Sequence, residues 1–400
     1  MQKQQEHAPQ DKQFYPVVFT GEGEEYFKIW IVNLALSILT LGIYSAWAKV
    51  RTRKYLYANT ILCESSFEYL ASPLAILKGR AIAVSIFVAY YLVSDFFVFW
   101  GTALALAIVL MMPWVTYQGL RFNARMTRYK NICFSFGGSL KEMYKVLILI
   151  SHAPTVIFAI IAAMAYYTDS IGGWLVPLLL MSFFVYAFLQ PYVKARIMSH
   201  YINHYKYANA SFGATLRTSE FFGIYARVLY WWVGSFIVGA AVISLALSAI
   251  YIPQGSWVEK MQILAQDPSI LDWISTIASG VLIGFYLVIF VAITLTKAYL
   301  TTATRNYFLN ETSIDNRVTL HSNLETKQLF FISFTNMLLT LISFGFAYPF
   351  TVIRMQSYML GTLGISFVGN IDEYTNDLRE QSATGEELGE VFGMDMGIFT

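Results

Sequence analysis

The sequence predicts an α-helical polytopic membrane protein with parallel internal repeats: three transmembrane hairpins, two further end segments and a small cytoplasmic β-sheet built from short strands. Three observations predict it. Apolar residues make up 56% of the 400 residues and charged ones only 13%, far from the balance of a soluble domain. The apolar residues come in long blocks rather than in the alternation of a membrane barrel. A short phrase recurs where such blocks meet basic residues: Ala46-Trp47-Ala48-Lys49-Val50-Arg51, and later Pro191-Tyr192-Val193-Lys194-Ala195-Arg196.

A hydrocarbon core about 30 Å thick needs roughly 20 apolar residues as a helix. The blocks at 26–48, 79–119, 146–166, 174–193, 228–252, 273–295 and 330–353 meet that need, the second being long enough for two spans. They define an integral domain over 26–370, between a polar segment at 1–25 and an acidic tail at 371–400. The first segment carries acidic residues ahead of the first block, unlike a cleavable signal peptide or a transit peptide. Cys63 and Cys133 have unrelated spacing, which fits reduced cytosolic thiols rather than a disulfide.

Basic residues set the orientation. Lys49, Arg51, Arg53, Lys54, Lys78 and Arg80 share one connection. Arg121 to Lys145 and Lys194 to Arg227 supply two more, so these connections are placed in the cytoplasm. The opposite connections, at 95–101, 167–173 and 253–272, hold Lys260 against several acidic residues and are placed outside.

Aligned on its ring residue, the phrase places Trp47, Trp114, Tyr192, Tyr299 and Phe350 in register. Ala46, Pro113, Pro191, Ala298 and Pro349 precede them, and Tyr55, Phe122, His200, Tyr307 and Tyr358 stand eight positions later. The first and last copies agree further, pairing Asn33 with Asn336, Gly42 with Gly345 and Arg51 with Arg354. Pro suits a helix start, and Ser45 reads as an N-cap, so the phrase begins a helix or kinks one. Rings eight residues apart lie about 12 Å apart along a helix axis, so this helix runs from the interface into the cytosol.

A short β-like stretch follows each copy: Ser66–Tyr69, Ile132–Phe136, Ala210–Gly213, Arg317–Leu320 and Ile365–Val368, with Val17–Thr20 ahead of the first block. Isolated strands this short are unstable, so the six are expected to pair into a sheet or small barrel. The single end blocks conflict with a common orientation for every phrase. Either they re-enter, turning at Thr40-Leu41-Gly42 and Ser343-Phe344-Gly345, or they span and place both termini outside. The close match between the two blocks favours re-entry.

Chemistry is sparse. His200 and His204 have a metal-compatible spacing, but no Glu stands beside the first His and the sequence shows no third ligand. His152 reads as an interfacial residue, and no phosphate loop or nucleophile arrangement stands in a convincing context. No enzyme activity, cofactor, metal or nucleic-acid partner is expected. The candidate headgroup- or partner-binding residues are Trp47, Lys49, Arg51, Trp114, Tyr192, Lys194, Arg196 and Arg354, since rings followed by cations suit an anionic membrane edge. Asn33 and Asn336 are the candidate intramembrane polar residues, more suited to interhelical hydrogen bonds than to substrate contact.

The stretch from Asn33 to Arg51, with Phe19-Thr20-Gly21 ahead of it, resembles the signature of the YjgN-like family of bacterial inner-membrane proteins. The resemblance extends over nearly the whole chain, including the Asp395-Met396-Gly397-Ile398 ending, and Ala46 departs from the Pro expected there. It implies a Gram-negative cytoplasmic membrane and carries no activity, catalytic residue or cofactor. The expected partners are membrane lipids; the acidic tail reads as a disordered, solvated segment, with a protein partner or a docking on the basic helices as its alternative. Binding of anionic headgroups or a partner is the leading expectation, and a channel or transporter for a small solute or lipid is the alternative.

Overall fold

The computed structural model describes residues 12–150, 175–249, 268–369 and 373–380. The expected outer connection at 167–173, residues 253–267 of the one expected at 253–272, His152 and the last twenty residues lie outside them. The described chain forms two compact units. One comprises residues 1–221, 305–324 and 336–400, and the other 222–304 and 325–335.

The first unit is organised by its sheet. The chain opens with β1 (Lys12–Pro16) and β2 (Val18–Phe19), then α1 (Gly23–Leu39) and α2 (Ser45–Ala58). A hairpin of β3 (Thr60–Leu62) and β4 (Ser65–Tyr69) follows, and then α3 (Pro73–Phe96) and α4 (Val98–Arg125). Next come β5 (Thr127–Tyr129) and β6 (Ile132–Phe136), then α5 (Leu140–Tyr144), which continues as a π-helical stretch, Lys145–Ile150. After α6 (Leu175–Asn203) stand β7 (Tyr205–Tyr207) and β8 (Ala210–Ala214), and then α7 (Thr218–Ala249) and α8 (Pro268–Asn310). Strands β9 (Thr312–Ile314) and β10 (Val318–Ser322), helices α9 (Thr326–Ile342) and α10 (Tyr348–Gly361), and β11 (Leu363–Val368) complete the order. A last helical stretch covers 373–380.

Eleven strands form one antiparallel sheet in the order β1-β11-β10-β9-β8-β7-β6-β5-β4-β3-β2. Its two edges are consecutive pieces of the same chain, separated only by Val17. Strand β1 pairs with β11 through Lys12↔Val368 to Pro16↔Gly364, and the Val17 N–H donates to the Leu363 carbonyl at 2.9 Å. Strand β2 then pairs with β3 through Val18↔Ile61 and Phe19↔Thr60. The N-terminal strand thus joins first to last, and the sheet approaches a closed barrel that leaves little edge unpaired.

Six strands were expected, and each is present. The expectation missed β1 and the three-residue partners β3, β5, β7 and β9, the last four too short to show alternation. Tight turns join three of them to the next strand: Cys63-Glu64 and Lys130-Asn131 are two-residue turns with positive φ at both positions, and Asp315-Asn316 hold it within a three-residue turn. That backbone matches the twist of a two-residue hairpin, although glycine usually supplies it.

Side chains fill the space the sheet encloses. Tyr129, Ile132, Tyr207, Ala210, Val318 and Phe367 form one buried cluster with Phe67, Phe134, Phe212 and Ile365 packed against it. Phe67 stacks on Tyr129 at 4.7 Å and Phe134 lies 5.0 Å from Tyr207. Tyr374 and Leu378 of the 373–380 helix belong to the same cluster, and the Tyr374 hydroxyl lies 3.4 Å from Asp315 Oδ2. This part of the tail docks on the strand turns and sheet core, where the sequence suggested the basic helices or a solvated segment. Its apolar i, i+4 pair provides the reason.

Every helical excursion leaves the sheet and returns to it at paired strands. Phe19↔Thr60 brackets α1–α2, Tyr69↔Thr127 brackets α3–α4, and Phe136↔Tyr205 brackets the stretch from α5 to α6. Ala214↔Thr312 and Ser322↔Leu363 bracket α7–α8 and α9–α10. Among the described residues, four helical segments are long and apolar enough to cross a membrane: Pro73–Phe96, Phe99–Arg125, Thr218–Ala241 and Ser279–Asn310. Their most apolar windows are at most 11% buried, so these faces are turned outward.

The end blocks are helix–turn–helix units. Leu41 and Gly42 take φ of 50° and 90° between α1 and α2, and Phe344 and Gly345 take 49° and 91° between α9 and α10. The turns therefore fall at the residues expected from the sequence. Their tips are apolar and bare, with Leu41 95% and Phe344 93% exposed. The N-cap of α2 is Tyr44 without a side-chain cap, and Ser45 is the first helical residue, which corrects the expected Ser45 cap. Pro349 begins α10, whereas Pro113 and Pro191 sit inside continuous α4 and α6.

Candidate functional site: the phrase helices and their cations

A common geometry explains the phrase. Ala46, Pro113, Pro191, Ala298 and Pro349, the residues before each ring, are all buried. Val50, Ala195, Thr302 and Ile353, four positions further on, are buried as well. Positions i and i+4 share a helix face, so this stripe is the packed side and a small or ring-closed residue fits its closest approach. The aromatic position lies off that stripe. Trp114 and Phe350 are exposed, while Trp47, Tyr192 and Tyr299 are half-buried. Trp47 stacks on Tyr44 at 6.0 Å.

The second ring has a different task. The Tyr55 hydroxyl accepts from the Glu22 N–H at 2.9 Å and donates to the Glu22 carbonyl, while the Tyr307 hydroxyl accepts from the Arg217 N–H at 2.8 Å. His200 meets Glu142 near the start of α5. In each case the side chain pins the start of an outgoing helix, as a packing role would require.

Each end block contains an Asn–Arg pair eighteen residues apart. Arg51 Nη1 donates to Asn33 Oδ1 at 3.4 Å, and Arg354 Nη1 donates to Asn336 Oδ1 at 3.3 Å. Both asparagines are buried while both arginines are exposed. Asn336 Nδ2 also donates to the Thr351 carbonyl at 3.1 Å, crossing from α9 to α10. Among the described residues Asn33 Nδ2 has no partner. These contacts link α1 to α2 and α9 to α10, with the arginines drawn in as partners.

The two blocks pack together. Phe27 stacks on Phe350 at 5.8 Å, and Trp30 lies 6.5 Å from Phe346 and 6.3 Å from Tyr348. Gly23 makes room for this contact, because a Cβ there would stand 2.6 Å from Phe350.

Among the predicted cations, Lys49 is exposed on α2, and the charges of Arg53 and Arg80 reach it. Arg80 binds Ser45 Oγ. Arg53 donates to Asn123 Oδ1 at 2.8 Å and to the Tyr69 hydroxyl at 2.9 Å, with its guanidinium 5.1 Å above the Tyr69 ring. Among the described residues no carboxylate pairs with Lys49, Arg53 or Arg80. Reasoning from sequence placed Arg53 and Arg80 in the basic connection without selecting them. Their clustering depends on bringing α3 against α2, although the density of cations in 49–80 was a signal. On α6, Arg196 donates to the Tyr192 hydroxyl at 3.2 Å and lies 5.3 Å above its ring, and Lys194 is half-buried.

Glu142, His200 and His204 are the described side chains with donor atoms arranged to hold a metal ion. Burial, and secondarily the neighbouring His204, hold the His200 imidazole below its ordinary range, against the pull of Glu142.

Comparison with known proteins shows a match over residues 14–391 to the family described as bacterial protein of unknown function (DUF898). An inner membrane protein YjgN of Salmonella typhimurium strain LT2 is 27% identical over 396 residues, covering 92% of this chain and 93% of its own. The proteins of the same name in Escherichia coli O157:H7 and K12 are 25% and 24% identical over 380 residues, with 86% of this chain and 88% of theirs covered. No solved structure matches the chain.

Proposed function

The chain belongs to this family of bacterial proteins and is a multi-pass protein of the inner membrane; from that we propose that it is a non-catalytic membrane protein whose aromatic and basic layer binds anionic lipid headgroups. The observation that carries the reading is the gathering of Lys49 and Arg53, one turn apart on α2, with Arg80, which binds Ser45 on the same helix face, and no carboxylate paired with them among the described residues. Like charges held together in one place are stabilised by an anion between them, and a lipid phosphate at the membrane edge is the abundant one. An exposed cation near an anionic surface contributes about 1 kcal/mol.

The proposed topology follows from the strand pairs. A segment that starts at Phe19 and ends at its ladder partner Thr60 returns to the side it left, as does one that runs from Ser322 to Leu363. We therefore place the sheet on one face of the membrane, cytoplasmic by the positive-inside rule, and read the end blocks as re-entrant. Helix α1, at about 26 Å from its seventeen residues, inserts its bare Leu41 tip and turns back. The helix pairs then enter the membrane from that face as parallel repeats. Transport remains the second reading, supported by the irregular backbone these two turns place at membrane depth.

The test uses the intact protein in detergent, with lipid retention followed by native mass spectrometry. Lys49→Gln with Arg80→Gln is expected to weaken phosphatidylglycerol or cardiolipin retention by about 2 kcal/mol, near thirtyfold, and to leave phosphatidylcholine unchanged. Equal retention of anionic lipid by the variant and the parent would overturn the reading.

A further inference from the structure

We propose that Glu142, His200 and His204 form a binding site for a divalent transition metal of the zinc type. The three residues come from separate positions that the fold draws together. Glu142 lies in the first turn of α5, His200 in the last turn of α6, and His204 between α6 and β7. One donor atom from each lies within 4.8 Å of the others. The two imidazole centroids are 4.4 Å apart, and His200 Nδ1 lies 2.7 Å from Glu142 Oε2.

The ring nitrogens are prepared for ligation. His204 Nδ1 lies 2.8 Å from the His200 carbonyl, an acceptor that calls for a proton on Nδ1 and leaves the Nε2 lone pair outward. Metal-bound histidines are commonly oriented by such a bond. His200 is 7% exposed, and neither ring nitrogen makes a hydrogen bond of good geometry, the Glu142 contact included. Its Nε2 faces Gly138, where a Cβ would stand 2.9 Å away. A buried imidazole nitrogen without a good hydrogen bond is costly, and a metal would satisfy the one it binds.

Imidazole nitrogen with one carboxylate suits Zn2+, Co2+ or Ni2+, and three protein ligands leave a fourth position for water. Tetrahedral ligands at about 2.0–2.1 Å from the ion stand roughly 3.3 Å from one another. The site must therefore contract, and Glu142, whose side chain is 58% exposed, has room to turn. The Gly137 N–H bond to the His204 carbonyl at 3.0 Å holds the backbone around the ligands. A bound ion would tie the end of α6 to the start of α5.

The test is metal binding by the full chain, freed of any affinity tag and stripped with chelator. Titration with Co2+ is expected to develop visible d–d bands for a single ion, displaced by Zn2+. Glu142→Gln and His204→Gln should each weaken binding by about tenfold or more, while His321→Gln should leave it intact. Absence of bands in the parent protein, or unchanged binding in Glu142→Gln, would overturn the proposal. Glu142 is exposed, so its variant carries the test even where His204→Gln fails to fold.

Discussion

The two Asn–Arg pairs look alike in sequence and differ in chemistry. Asn336 satisfies both its amide groups, through Arg354 and the Thr351 carbonyl, whereas Asn33 leaves Nδ2 buried without a partner. Asn336→Leu strands the carbonyl partner and is expected to cost about 1–3 kcal/mol. Asn33→Leu removes an amide already unpaired and should cost clearly less, so the thermal midpoints of the two variants in one detergent check the asymmetry. His200 gives a second prediction. Its imidazole titrates lower in the folded state than in the unfolded one, so the folded state takes up fewer protons. The stability is complete above the unfolded value near 6.5 and is lost as pH falls through the lower folded value. With chelator present, His200→Phe should flatten the part of the melting profile that declines below about pH 6.5. A difference between variant and parent that does not vary with pH would contradict this.

At the scale of elements, the end hairpins depend on backbone that only glycine adopts easily. A Cβ on Gly42, at φ 90°, would meet nothing within 4 Å, so any cost is conformational. Gly42→Ala is expected to destabilise by about 1 kcal/mol or more. Gly119→Ala, inside α4 and equally uncrowded, should stabilise by about 0.5–1 kcal/mol. A matched pair of melts separates the two cases by sign. The sheet core is more sensitive. Phe367 is fully buried, and Phe367→Ala should cost about 3–5 kcal/mol through the cavity it leaves, seen as a large drop in the unfolding midpoint.

For the whole molecule, the closed ladder governs how the chain meets the membrane. Because β1 and β2 join the last strand to the first hairpin, both described ends of the chain belong to the sheet's side. Reporter fusions at both ends should be active only where the reporter works in the cytoplasm. Activity of an externally folding reporter at either end would reject the re-entrant reading. The packed aromatic interior bears on transport too. Tyr129, Tyr207 and Phe367 fill the space the sheet encloses, so any solute path would run among the helices.

The sequence by itself determined the class of this protein, because apolar block length is a local property that solvent reads directly. It also located the hairpin tips at Gly42 and Gly345, the strands β2, β4, β6, β8, β10 and β11, and the small-ring-ring order of the phrase, since each rests on residues close in the chain. It could not reveal β3, β5, β7 and β9, whose three residues carry no period. Nor could it join Glu142 to His200, fifty-eight positions apart, or Arg80 to Lys49. Those meetings come from strand register and helix packing, where contacts between distant residues are chosen together. Only the tertiary structure decided that the first strand closes the sheet against the last, because pairing across the full length of the chain leaves no local mark.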